Sequence, residues 1–157
     1  MNKTNAMRML DAAKIPYSIF EYEVDESDLS GTHIASQIGL PEEQVFKTIV
    51  LRGDKRGLSV FCVPVACEID LKKAAKITGD KKIEPVHVKE LLSLTGYIRG
   101  GCSPIGMKKK FPTYIDETAI LFEEITVSAG VRGCQLLLKV DDLVAFTEAE
   151  LADFSVS

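Results

Sequence analysis

Gly100-Gly101-Cys102-Ser103-Pro104-Ile105-Gly106, followed by Met107 and Lys108-Lys109-Lys110, is the stretch of this chain most able to do chemistry. Its three glycines let backbone approach a ligand closely, because no Cβ intervenes. Pro104 fixes its own φ and biases Ser103 towards extended backbone, which stiffens the loop. With three lysines behind it, such a loop suits a phosphate-bearing ligand. The same residues also suit a tight turn followed by a solvated charge run. Cys102 lies in the loop, and a thiol activated by a nearby cation would be a nucleophile, although neither histidine is placed in sequence to assist it. Lys47, near the start of an apolar stretch, is either a cation meeting a phosphate or ester oxygen or a surface lysine with a snorkelling stem.

The elements that must position these groups interleave. A helix is expected over 4–14, capped by Thr4 or Asn5 and limited by Pro16. A strand rich in aromatic and β-branched residues follows over 17–22, then a helix over 31–38 ended by Gly39, with Pro41 opening a short turn. The clearest strands are 46–52 and 58–65, joined as a hairpin through Gly53-Asp54-Lys55-Arg56-Gly57. Asp70 caps a helix running to Ile77 and stopped by Gly79, and 88–94 is a short helix ending before Gly96. Beyond the glycine-rich loop, strands are expected at 113–115, 119–122, 125–128 and 135–140, with Asp141 capping a last helix. Regular βα alternation is missing, so the expected class is α+β: a mixed, barrel-like sheet surrounded by helices.

A chain of 157 residues with 46% hydrophobic and 27% charged residues is expected to form one domain over 1–157 with a substantial core. No apolar run has the length of a membrane span and no secretory signal is evident, which implies a cytoplasmic protein away from membranes. Cys62, Cys67, Cys102 and Cys134 include no Cys-x-x-Cys pair, and His33 and His87 add little, so neither a metal site nor a disulfide framework is expected. Cys62 and Cys134 sit in apolar runs and read as buried small hydrophobes. The net charge of −4 excludes a general nucleic-acid coat. The ends are acidic, however, while the middle carries Lys72, Lys73, Lys76, Lys81, Lys82, Arg99, Lys108–Lys110 and Arg132, leaving room for a local anionic partner.

Four pieces occur together in order: Val45-Phe46-Lys47-Thr48 entering a strand, Asp70-Leu71-Lys72-Lys73 opening a helix, the loop at 100–106, and Val127-Ser128-Ala129-Gly130-Val131-Arg132-Gly133. From about Ala6 to Leu143 the chain resembles the YbaK/EbsC family, aminoacyl-tRNA deacylases related to the editing domain of bacterial prolyl-tRNA synthetase. With Tyr22-Glu23 it is most similar to the Cys-tRNA(Pro) deacylases. The resemblance implies that Lys47 and Gly101 carry the catalytic site. In it, Lys47 projects towards the tRNA end, and Gly101 is small so that the substrate can approach. Substrate contacts are implied for Tyr22, Thr48, Gly100, Cys102, Ser103, Pro104, Ser128 and Gly130, and for Arg132 in either a ligand-binding or a structural role. Two positions depart from the family pattern. Gln135 stands where cysteinyl relatives often have aspartate, and Leu29-Ser30 where an aromatic residue is common.

The chemistry this implies needs no cofactor, metal or dedicated nucleophile, because an aminoacyl ester is already activated. Positioning and stabilisation of oxyanion charge lower the barrier, with water or the substrate's own thiol attacking. The implied partner is the acceptor end of mischarged tRNA(Pro), with prolyl-tRNA synthetase as a possible second partner. Ala-tRNA(Pro), a broader range of aminoacyl-tRNAs, and a non-catalytic tRNA- or synthetase-binding module remain the alternatives.

Overall fold

The run 58–65 is apolar almost without interruption because its strand is covered on both faces. Residues 2–157 are described by a computed structural model. In chain order the strands are β1 (Ser18–Glu21), β2 (Phe46–Gly53), β3 (Gly57–Pro64), β4 (Glu68–Ile69), β5 (Ile83–Pro85), β6 (Thr113–Asp116), β7 (Glu124–Ser128), β8 (Cys134–Lys139), β9 (Glu150–Ala152) and β10 (Ser155–Val156). The helices are α1 (Asn5–Ala12), α2 (Gly31–Ile38), α3 (Leu71–Thr78), α4 (Val88–Thr95) and α5 (Val140–Thr147).

β3 is central in a five-stranded sheet of order β5-β2-β3-β6-β9. It pairs antiparallel with β2 and parallel with β6. Alternation along the strands sends Val50, Val60 and Cys62 into a large core with Met7, Leu10, Ile125, Leu136, Leu138 and Leu143. Leu51, Phe61 and Val63 go into a second core with Ala74, Ala75, Ile83 and Phe154. A separate sheet of order β1-β8-β7 contributes to the first core, and a parallel bridge between Val45 and Thr126 joins it to the start of β2. The architecture is therefore mixed α+β. Among the described residues the sheets are not closed into a barrel: no pairing joins the first and last strands of a sheet, and a third pair, β10-β4, is separate.

The helix signals act locally. Thr4 caps α1, its side chain accepting from Met7 N–H. Asp70 caps α3 through Lys72 and Lys73 N–H, and Gly39, Gly79 and Gly96 end their helices at positive φ. Two expectations are corrected. Residues 119–122 are not a strand: 119–121 belong to a 3-10 turn, Glu117–Leu121, and Phe122 follows it, because Asp116 accepts from Thr118 N–H and Oγ1 at 3.3 and 2.6 Å and bends the chain. Asp141 does not cap α5. Lys139 holds that position, and Asp141 and Asp142 occupy the first turn, where negative charge suits the helix dipole. Strands β4, β5, β9 and β10 have two or three residues each and carry too little periodicity to be seen in sequence. No helix among the described residues is long and apolar enough to cross a membrane.

Candidate functional site

Between the Val45–Thr126 bridge and Val50, the edge of β2 away from β3 is open at Thr48. β5 pairs only with Leu51–Gly53, and beyond that point Val50 C=O accepts from Val86 N–H at 3.1 Å. On the other side, Val45 C=O accepts from Val65 N–H, towards β3. Backbone groups point alternately to the two neighbours of an antiparallel strand, so those of Thr48 face away from β3, into the gap that β5 leaves.

A cleft of about 600 Å³ occupies this gap. Residues 45–50 form one wall, and the start of α2 (Ser30, Gly31, Thr32) another. Val86, Val88 and Leu91 give an apolar side. Arg99, Gly100, Cys102, Ser128 and Gln135 close it. α2 comes this near because residue 31 is glycine: a Cβ there would lie 2.3 Å from Val65 Cγ1.

Lys47 and Thr48 both reach the cleft, but from opposite faces of β2. Lys47 Nζ stands 3.4 Å from Glu68 Oε1, with the Lys47 side chain 26% and the Glu68 side chain 81% exposed. An ion pair with so exposed a partner is weak, and the ammonium stays available for an anionic or carbonyl oxygen. The Thr48 hydroxyl lies 3.8 Å from Cys62 Sγ.

Only part of the glycine-rich loop reaches the cleft. Gly100, with φ +88°, and the buried Cys102 line it, while Gly101, Ser103 and Pro104, also buried, do not. A Cβ on Gly101 would meet Val131 C at 3.1 Å and Arg132 N at 3.2 Å, and its own N–H already donates to Ile98 C=O at 3.0 Å. Its small size therefore allows loop-on-loop packing. Ser103 Oγ accepts from Ile105 N–H at 3.2 Å. Arg132 Nε donates to Arg99 C=O at 2.8 Å, tying the two loops together, which favours the structural alternative for this residue. Gly130 has φ +98°, and a Cβ there would strike the Tyr97 ring at 2.9 Å. Ser128 Oγ accepts from Gly130 N–H at 3.1 Å while Ser128 lines the cleft. Tyr22 sits apart, in a small neighbouring pocket with His33, Gly100 and Arg132.

Burial pushes the Cys102 thiol up to about 12, against a lesser lowering by Thr95, so it is held as a neutral thiol. The three lysines after the loop also lie away from the cleft: Lys108 runs over Gly96 and Lys110 pairs with Glu148. Sequence reasoning marked Arg99 only as one of the central cations, and it missed Glu68, Thr32 and the apolar side at Val86–Leu91. Gln135 was noted only as a departure. It is buried, and its Oε1 accepts from Thr126 Oγ1 at 3.2 Å. Among the described residues no group of three or more His, Cys, Asp and Glu side chains is placed to hold a metal ion. The cleft thus offers a cation at an open strand edge, neutral polar groups and an apolar wall: a place to hold an activated ester rather than to attack it covalently.

A family model described as the aminoacyl-tRNA editing domain matches residues 30–146. A protein of Enterococcus faecalis, provisionally named as the Cys-tRNA(Pro)/Cys-tRNA(Cys) deacylase EbsC, is 46% identical over 153 residues, which are 98% of this chain and 93% of that one. The crystal structure of a protein provisionally described as a trans-editing enzyme for prolyl-tRNA synthetase superposes with a TM-score of 0.82 over all of both chains at 24% identity. That of a hypothetical protein superposes with a TM-score of 0.86 at 18% identity, over 95% of this chain and 97% of that one.

Proposed function

The chain belongs to the aminoacyl-tRNA editing domain family, and from that premise we propose that it is a trans-editing hydrolase that removes cysteine from mischarged Cys-tRNA(Pro) in the cytoplasm. The observation that carries the reading is the meeting of Lys47, on the open edge of β2, with Gly100, Cys102, Ser128 and Gln135 around one cleft.

In this reading the terminal aminoacyl-adenosine lies along the β2 edge. The Lys47 ammonium faces the oxygen on which negative charge develops as the ester carbonyl is attacked, an interaction that strengthens towards the transition state. The backbone of Thr48 and the Gly100 end of the loop position the ester, and Gly101 and Arg132 hold that loop in place from behind. Ser128, Gln135 and the neutral Cys102 thiol surround a small uncharged aminoacyl side chain. The attacking group is a water or the substrate's own thiol. In either case the ester C–O bond breaks and the tRNA hydroxyl leaves with a proton. With thiol attack, the cysteine departs as a thiolactone that water then opens.

The test is deacylation of tRNA(Pro) charged separately with Cys, Ser, Ala and Pro, by the wild type and by Lys47→Ala. The expected result is loss of Cys alone, slowed at least a hundredfold by the substitution, equal to about 3 kcal/mol of transition-state stabilisation. Brisk hydrolysis of the Ser ester excludes obligatory thiol attack. Loss of Ala moves the substrate, and tight binding without hydrolysis makes the protein a carrier, with prolyl-tRNA synthetase the partner to try first.

A further inference from the structure

Two loops twenty-five residues apart in sequence are pinned to each other by reciprocal carboxylates at the far end of β2. Asp54, in the β2–β3 turn, accepts from the backbone N–H groups of Lys81 and Lys82 at 3.0 and 3.3 Å. Asp80, after α3, accepts in return from Lys55 and Arg56 N–H at 2.9 and 2.7 Å. Asp54 N–H also donates to Lys82 C=O at 3.0 Å. Each carboxylate is thus engaged with main chain, and the residues it fixes carry cationic side chains. Lys55, Arg56, Lys81 and Lys82 are all exposed, and among the described residues none has a carboxylate ion pair within 4.0 Å.

The result is a ridge of four cations on a rigid base, in a protein whose net charge is −4. Neither loop exposes a large apolar side chain, and protein partners are normally anchored by such groups. Cations without apolar anchors suit a polyphosphate backbone, which is bound largely by charge. Position fits as well. Lys55 lies eight residues beyond Lys47 along β2 and its turn, roughly 25 Å at strand rise. The unpaired 3′ end of a tRNA bridges such a distance before its acceptor stem begins. We propose that this ridge seats acceptor-stem phosphates of the tRNA whose aminoacyl end occupies the cleft. The proposal rests on the reading of the cleft given above.

The experiment compares the wild type with the variant Lys55→Gln/Arg56→Gln/Lys81→Gln/Lys82→Gln in two assays. The first is binding of uncharged tRNA across a salt series, which does not require catalysis. The expected result is an affinity at least tenfold weaker at low salt and a log–log salt dependence shallower by about 3.6, about 0.9 for each of the four lost contacts. The second assay is hydrolysis of full-length charged tRNA against a charged 3′-terminal oligonucleotide that lacks the stem. KM is expected to rise for the former only, which a misfolded variant would not show. Unchanged tRNA affinity and salt dependence, or equal losses on both substrates, overturn the ridge. A wild type that binds tRNA through the ridge but hydrolyses neither substrate overturns the deacylase reading and leaves the ridge standing.

Discussion

A thiol in a glycine-rich loop invites assignment as a nucleophile, and Cys102 shows how burial decides otherwise. With the thiol pushed up to about 12 by desolvation, almost none is thiolate at neutral pH, and the thiolate is the reactive form. We expect Cys102→Ala to retain deacylation within about threefold, with no change in the shape of the pH–rate profile between pH 6 and 9. A profile that loses an alkaline limb in the variant would restore the nucleophile. Lys47 needs a different argument. Its identity and strand position were legible in sequence, but the open edge that makes its ammonium useful depends on where β5 stops.

Elements here are held in place by carboxylates aimed at backbone. Asp80 is buried beneath the β2–β3 turn, and a Cβ on Gly53 would collide with its carboxylate at 2.0 Å. Desolvation works to raise its pKa. The Thr78 hydroxyl at 2.5 Å and the Arg56 and Lys55 N–H groups outweigh that and hold it below the ordinary 3.8. A depressed carboxylate stabilises the fold above its unfolded pKa, and that stability is lost as pH falls through the folded value. Asp80→Ala should therefore cost about 2 kcal/mol at neutral pH, lowering Tm by about 6 °C. The Tm gap to wild type should narrow below pH 3.8. A gap constant with pH would place the effect in packing instead of charge. The same substitution unpins Lys55 and Arg56, so it should weaken tRNA binding without altering the hydrolysis of a stemless substrate.

At the scale of the whole molecule, the last residues complete a core begun by the first hairpin. Phe154 is fully buried, edge-on to Phe61 at 4.9 Å, while Phe61 stacks on Tyr114. Asp116 locks this closure by accepting from Phe154 and Ser155 N–H at 3.2 and 3.0 Å and from Ser155 Oγ at 3.1 Å. Phe154→Ala is expected to cost about 3–5 kcal/mol and to open β9 and β10 to limited proteolysis ahead of the sheet interior. Equal resistance to protease in the variant would show that the segment is held by its strand pairings and Asp116 without the ring.

The sequence by itself determined the elements whose signals are local. The α3 cap at Asp70, the glycine stops at 39, 79 and 96, and the paired apolar runs of β2 and β3 each act within a few residues. It also marked Lys47, Thr48, Gly100, Cys102 and Ser128, which tertiary structure then gathers around one cleft. What only the tertiary structure decided is which side of each motif faces that cleft. Gly100 and the buried Cys102 line it while Gly101 and Ser103 do not, Arg132 is drawn to the Arg99 carbonyl, and Arg99 and Glu68 enter the site. These outcomes depend on contacts between segments tens of residues apart. No local pattern encodes them, because a side chain's role follows from what packs on its far side.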